Sequence, residues 1–253
     1  MPSKRQVFDT DAADARTRAA KQPAPQQLSL GIALQDDATF ANYWVSPENH
    51  IVNQALQQFC LGRGDLSVLI WGARGCGLTH LVQACSHHSR LPIAYLPLRD
   101  ALDLNPADVC ANLESSPLVC VDDIELLAGQ VEWELAFFHL YNRLRDNGHR
   151  LLMASHSNPA AMPFNLPDLA SRVLGSVIYR VALLNDEEKA KALQMRAKAR
   201  GMLMSKDVAN YILKRAPRRM KDLFGILDQL DAASLQMQKK LSVRFVKQVL
   251  ESQ

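Results

Sequence analysis

Five short, almost wholly apolar runs recur along the chain, each too short to be a helix and separated from the next by turn residues or a helix-length stretch. They are Val68-Leu69-Ile70-Trp71, Ile93-Ala94-Tyr95-Leu96, Leu118-Val119-Cys120-Val121, Leu151-Leu152-Met153-Ala154 and Val177-Ile178-Tyr179-Arg180-Val181. Continuous rather than alternating apolarity is what a strand buried on both faces requires. Residues 77–90 and 131–147 are long enough for crossover helices. The pattern predicts an α/β fold, a three-layer domain with about five parallel strands. From Asn185 onward the period turns helical. Asn185-Asp186-Glu187-Glu188 reads as a cap with an acidic first turn, Ser205 as a second cap, and Pro217 as the first-turn proline of a third helix. Leu213, Met220, Leu223, Leu227 and Leu230, with Phe245, Val246 and Val249, supply the core of a small all-helical lid.

The 253 residues, 48% hydrophobic and 22% charged, can bury a real core. That balance excludes a disordered chain or a disulfide-stapled miniprotein. The five cysteines form no C-x-x-C pair and read as reduced, buried thiols. Charge is uneven. Residues 1–25 hold five basic and three acidic residues (+2), residues 26–182 nine and fifteen (−6), and residues 183–253 fifteen and eight (+7). The first block has few large apolar side chains and reads as a disordered leader. It lacks the apolar stretch of a secretory signal, so the expected compartment is the cytoplasm. The expected layout is a leader over 1–25, a short peptide and linker over 26–34, the α/β domain over 35–182 and the lid over 183–253.

Directly after the first run comes Gly72-Ala73-Arg74-Gly75-Cys76-Gly77-Leu78-Thr79. It matches the strand–loop–helix template G-x-x-x-x-G-K-[ST] except at one position. Glycines let such a loop fold tightly with its N–H groups turned inward around phosphate oxygens, and the helix N-terminus adds partial positive charge. Leu78 stands where the phosphate-binding Lys belongs and cannot neutralise charge developing in phosphoryl transfer. Gly72, Gly75, Cys76, Gly77, Leu78 and Thr79 can still cradle a diphosphate, with Thr79 available to magnesium. Some 40 residues on, a buried run ends in Asp122-Asp123, the form of a Walker B element whose first carboxylate holds magnesium-bound water. Asp123 is a methylene shorter than the Glu that often polarises the attacking water.

Together these elements resemble the AAA+ ATPases and, within them, the DnaA family of bacterial replication initiators. Thr39-Phe40-Ala41-Asn42-Tyr43-Trp44 is similar to the family's opening segment, which implies that Asn42 and Tyr43 lie against an adenine. Leu152 to Ser157 falls at sensor 1, with His156 where the initiator has an acid. Leu166-Pro167-Asp168-Leu169-Ala170-Ser171-Arg172 is similar to box VII and makes Arg172 the candidate arginine finger. Arg219 to Leu223 falls at sensor 2, with Lys221 where the family has Arg. Gln27-Leu28-Ser29-Leu30-Gly31-Ile32 resembles the peptide that docks into the groove of the sliding clamp, the β subunit of DNA polymerase III. There Gln27 would supply an amide while Leu28, Leu30 and Ile32 fill pockets beside Ser29. The chain stops at Gln253, where initiators continue into a helix-turn-helix DNA-binding domain.

The resemblance therefore points to the DnaA-related regulators that inactivate the initiator after replication starts. It implies an adenine nucleotide, ADP, held with or without magnesium at Thr79 and Asp122. It also implies clamp and DnaA as partners, with DNA reached only through the clamp and a homodimer or higher oligomer left open. The chain would activate a partner's ATPase rather than hydrolyse ATP itself. Two rival functions are an autonomous ATPase of the helicase-loader type, against which Leu78 argues, and a DNA-binding adaptor using the basic lid. Cys76, His80, His87 and His88 share no further ligand at a metal spacing and read as packing residues. Ser155-His156 reads as polar structure at a strand end rather than as a catalytic dyad.

Overall fold

The computed structural model describes residues 38–251. The leader and the peptide Gln27–Ile32 fall outside that range. Each of the five runs forms a strand: β1 (Ser67–Trp71), β2 (Ile93–Pro97), β3 (Leu118–Asp122), β4 (Arg150–Ser155) and β5 (Val177–Arg180). All neighbours are parallel, in the order β2-β3-β4-β1-β5. Val181 lies just past the last strand, yet its N–H still reaches the Trp71 carbonyl at 2.7 Å.

The helices of the α/β domain are α1 (His50–Cys60), α2 (Leu78–His88), α3 (Leu98–Ala101), α4 (Pro106–Leu113), α5 (Val131–Asp146) and α6 (Pro167–Leu174). Side-chain parity decides which layer each strand residue joins. Val68, Ile70, Leu118, Cys120, Leu152 and Ala154 pack with Val52, Leu56 and Phe59 of α1 and Leu81, Val82 and Cys85 of α2. The opposite parity, including Leu69, Val119, Val121, Leu151 and Met153, is buried on the other face, where α5 packs against β4, α4 and α6. Burial on both faces explains why the central strands read as unbroken apolar runs, whereas the edge strand β5 alternates half-buried and exposed residues.

The lid comprises α7 (Asp186–Ala199), α8 (Lys206–Arg215), α9 (Met220–Met237) and α10 (Val243–Glu251). Its core joins Leu193, Val208, Ile212, Leu223, Leu227, Leu230, Phe245 and Val246. Asn185 and Glu188 form a reciprocal capping box at 2.9 Å each way, and the Ser205 hydroxyl accepts the Val208 N–H at 3.3 Å. The third expected start needs correction. α9 begins at Met220, with Arg219 extended before it, rather than at Pro217. Pro217 acts on the previous helix instead, holding Ala216 extended (φ −99°, ψ 159°) and so closing α8. No helix among the described residues is long and apolar enough to cross a membrane.

One buried cation fastens the loop between α1 and β1. Arg150 opens β4, and its guanidinium donates to the carbonyls of Arg63 (3.0 Å), Asp65 (2.8 Å), Gly64 and Gly62, stacked over the Phe59 ring. Methionine would fill the same volume but leave those oxygens without donors. Because the loop lies at the surface, water can recover part of the loss, so Arg150→Met is expected to cost about 2 kcal/mol in chemical denaturation.

Candidate functional site

The carboxyl ends of the strands carry the site, the position where open parallel sheets hold ligands. Past Trp71, Gly72 donates to the Ser155 carbonyl at 3.1 Å. Gly75 (φ +90°) and Gly77 (φ +95°) turn the loop so that Gly77 becomes the N-cap of α2. The first turn of α2, whose N–H groups have no partners within the helix, thereby borders the cleft, a setting that favours an anion. A Cβ on Gly77 would sit 2.9 Å from the Tyr43 ring, so the aromatic lies directly on the loop. The Tyr43 hydroxyl donates to the Cys76 carbonyl at 3.2 Å, and burial pushes that phenol well up. Burial likewise raises the Cys76 thiol to about 11. His80 bonds the Thr39 carbonyl at 2.9 Å, so the segment before α1 is strapped across the loop.

Between loop and lid lies a cleft of about 650 Å³, within the range of small-molecule sites. Asn42, Tyr43 and Trp44 line one side, Gly75 to His80 the floor, and Arg196, Arg200, Lys221 and Asp228 the lid side. Three cationic side chains thus face one carboxylate, a balance suited to an acidic ligand. Lys221 is exposed on α9. Arg196 lies over the Phe224 ring at 5.0 Å. Arg200 pairs through Nη2 with Asp228 at 2.5 Å, while its Nη1 and the Trp44 Nε1 are buried donors with no hydrogen-bond acceptor among the described residues. Two orphaned donors and a glycine cradle beneath an aromatic fit a nucleotide. Leu78 is 1% exposed and packed with Cys76, Leu81 and Val82, so it belongs to the layer under the loop as much as to the cleft.

Asp122 and Asp123 end β3 but play different parts. Asp122 is buried beside Thr79, whose hydroxyl bonds to it; burial raises its carboxyl above the usual range, and that bond opposes the rise. It also accepts the Asp123 N–H at 3.0 Å. Asp123 is held at φ +60°, uncommon for a residue with a side chain, and its carboxylate turns to Arg99, with Nε and Nη2 both 3.1 Å from Oδ2. Its Oδ1 stands 3.9 Å from His156 Nε2. His156 Nδ1 bonds the Gly72 carbonyl at 3.1 Å, and its N–H goes to Glu125 at 3.2 Å. His156 therefore spans phosphate loop and acidic strand end, while Ser155 bonds within its own turn.

Arg172 stands apart. It lies in the last turn of α6, half-buried, and does not line the cleft. Its guanidinium forms no hydrogen bond or ion pair with the described residues. The structure thus gathers Asn42, Tyr43, the loop, His156 and Lys221 around one cleft, with Asp122 and Asp123 at the adjoining strand end. Gln27, Leu28, Ser29, Leu30 and Ile32 lie outside the described residues. Sequence reasoning missed Arg99, Trp44 as a donor, Arg196 with Arg200, and Asn49. Asn49 bonds both backbone groups of Ala182 (3.0 and 2.8 Å), pinning the segment that leads into the lid. Only the Arg196–Arg200 pair left a trace in the sequence, four residues apart on one helix face.

Comparison with known proteins gives the fold its relatives. A family model described as "Hda, lid domain" matches residues 186–250. Domain III of the Thermotoga maritima replication initiation protein DnaA superposes with TM-score 0.72 at 20% identity, covering 87% of this chain and 98% of that one. AMPPCP-bound DnaA from Aquifex aeolicus gives 0.69 at 21%, covering 78% of this chain and 66% of that longer one. The RuvB Holliday junction branch migration motor of Thermotoga maritima gives 0.64 at 15%, covering 85% and 73%. A lid that matches the Hda lid-domain model over residues 186–250 thus follows a core folded like DnaA domain III.

Proposed function

We propose that this chain is a negative regulator of replication initiation, acting in the cytoplasm on the DNA-loaded sliding clamp. Residues 27–32 hook the clamp, and the AAA+ face meets ATP-bound DnaA. Arg172 then enters the initiator's nucleotide site, and hydrolysis there is stimulated. The observation that carries this reading is the placement of Arg172 on a short helix away from the chain's own cleft, with no partner among the described residues. A guanidinium is always charged and can spread over two phosphate oxygens, as a finger acting in trans must.

The chain's own cleft is read as a holding site for an adenine nucleotide, ADP. The shared fold of AMPPCP-bound DnaA supports that choice of base. Once bound, the nucleotide supplies a charged strut between loop and lid. The loop amides of Gly75 to Thr79 cradle its phosphates, Trp44 and Arg200 offer donors, and Lys221 adds charge from the lid. Thr79 and Asp122 are the residues that would hold magnesium. Own hydrolysis is expected to be weak for two reasons. Leu78 withholds the ammonium, and the Asp123 carboxylate is engaged by Arg99 rather than directed at water.

Measuring hydrolysis of DnaA-bound ATP with and without DNA-loaded clamp tests the proposal. Stimulation that requires both clamp and this protein is the expected result. Rapid phosphate release by the protein alone would favour an autonomous ATPase. Steeply salt-dependent binding to duplex DNA without clamp would favour an adaptor working through its basic lid.

A further inference from the structure

Glu134, in the first turn of α5, is only 1% exposed, and nothing in the proposed function uses it. A carboxylate removed from water must be met by donors or it is strongly unfavourable. Glu134 finds them in the backbone of two other segments. Its Oε1 accepts from Gly129 at 2.8 Å and Asn165 at 3.1 Å, and its Oε2 accepts from Leu166 at 2.7 Å. The Asn165 side-chain amide adds a weaker contact at 3.5 Å. Charge-assisted bonds of this kind are shorter and roughly twice as strong as neutral ones.

Leu166 is the N-cap residue of α6 and has no side chain able to cap the helix. Eight residues are too few for a helix to be stable by itself, so its start must be fixed from outside. Glu134 does that, and Arg172 lies in the same helix. The opposite oxygen contact, Gly129, follows the turn Ile124–Leu127, in which Glu125 holds the His156 N–H. One buried carboxylate therefore joins the segment after the turn that holds His156 to the start of the arginine helix.

We infer that Glu134 is the positioning residue for Arg172, setting where α6 begins and hence where the guanidinium arrives in the partner. This rests on the role proposed above for Arg172. Glu134→Gln keeps the shape but sets an amide donor against backbone N–H groups. A shift of about 1 Å in a reacting group can cost about 100-fold in rate. The variant is therefore expected to lower the maximum rate of clamp-dependent hydrolysis of DnaA-bound ATP about 10- to 100-fold, leaving the half-saturating concentration and clamp binding unchanged. Glu134→Asp, which keeps the charge one methylene back, should fall between, and it decides the matter where the glutamine variant does not fold. Wild-type maximum rate in a folded variant would overturn the inference, as would a change confined to the half-saturating concentration. Full stimulation by Arg172→Ala would remove the finger and the inference together. An inactive Arg172→Ala beside a fully active Glu134→Gln would remove the inference alone.

Discussion

Arg172→Ala is expected to lower the maximum rate of clamp-dependent hydrolysis of initiator-bound ATP by about 10³-fold, the lower end of what a finger supplied in trans contributes to GTPases. Leu169 and Val173 anchor α6 in the core, while Arg172 sits on its flank with no partner for its guanidinium among the described residues. Truncation should therefore leave the helix and the melting temperature nearly unchanged. Arg172→Lys separates charge from geometry: an ammonium keeps the positive charge but loses the planar fork, so it should restore only part of the rate. Clamp binding, assigned to residues 27–32, should be the same in all three proteins. Radiolabelled ATP preloaded on the initiator, followed over time with saturating regulator, gives the measurement. A folded Arg172→Ala protein that stimulates at the wild-type rate would end the finger role.

The sheet was legible because its central strands are buried on both faces, β3 and β4 at every position, while the edge strand β5 stays apolar though partly exposed. Each therefore appears as an unbroken apolar run that neighbouring contacts cannot disguise. Lid capping was legible for a related reason, since Asn185 and Ser205 each act on the N–H group three residues on. Pro217 misled because a proline both opens a helix and closes the one before it, and only packing decided between the two. In the site, the glycine loop and Asp122 were visible as local pattern, and His156 only through the family resemblance. Residues joined across long separations were not. Asn49 and Ala182 are 133 positions apart, Arg150 reaches back to residues 62–65, and Arg99 meets Asp123 from a different strand end. Nothing within a window of ten residues announces such pairs.

The Arg99–Asp123 contact also bears on the proposed division of labour between this chain and DnaA. Leu78 alone leaves open whether hydrolysis would return once an ammonium was restored. With Asp123 strained at φ +60° and engaged by Arg99, the second carboxylate is committed too. The Arg99 side chain is 54% exposed, so the pair itself adds little stability. Its effect is on orientation, committing Oδ2 of Asp123 to the Arg99 guanidinium.

The largest structural effect should come from the smallest change in the site, Gly72→Ala. The added Cβ would stand 2.4 Å from the Val181 carbonyl oxygen and 2.8 Å from Cys76 Sγ. Neither neighbour can easily yield. Val181 is bonded to Trp71 at 2.7 Å, the next residue is gripped on both sides by Asn49, and Cys76 is buried in the core. Gly72 cannot retreat either, being bonded to Ser155 and His156. The overlap must therefore spread into the phosphate loop or the segment leading to the lid, at about 3 kcal/mol. For a chain of this size that lowers the melting temperature by about 6–12 °C. Gly75→Ala is the control. Its Cβ meets nothing within 4 Å, so only the left-handed backbone (φ +90°) opposes it, at about 1–2 kcal/mol. ADP affinity, titrated by fluorescence of a labelled ADP, should drop far more in the first variant, because its larger displacement passes through Cys76 into the Gly75–Thr79 cradle. Gly72→Ala melting and binding like the wild type would mean that the loop does not hold the ligand where its geometry implies.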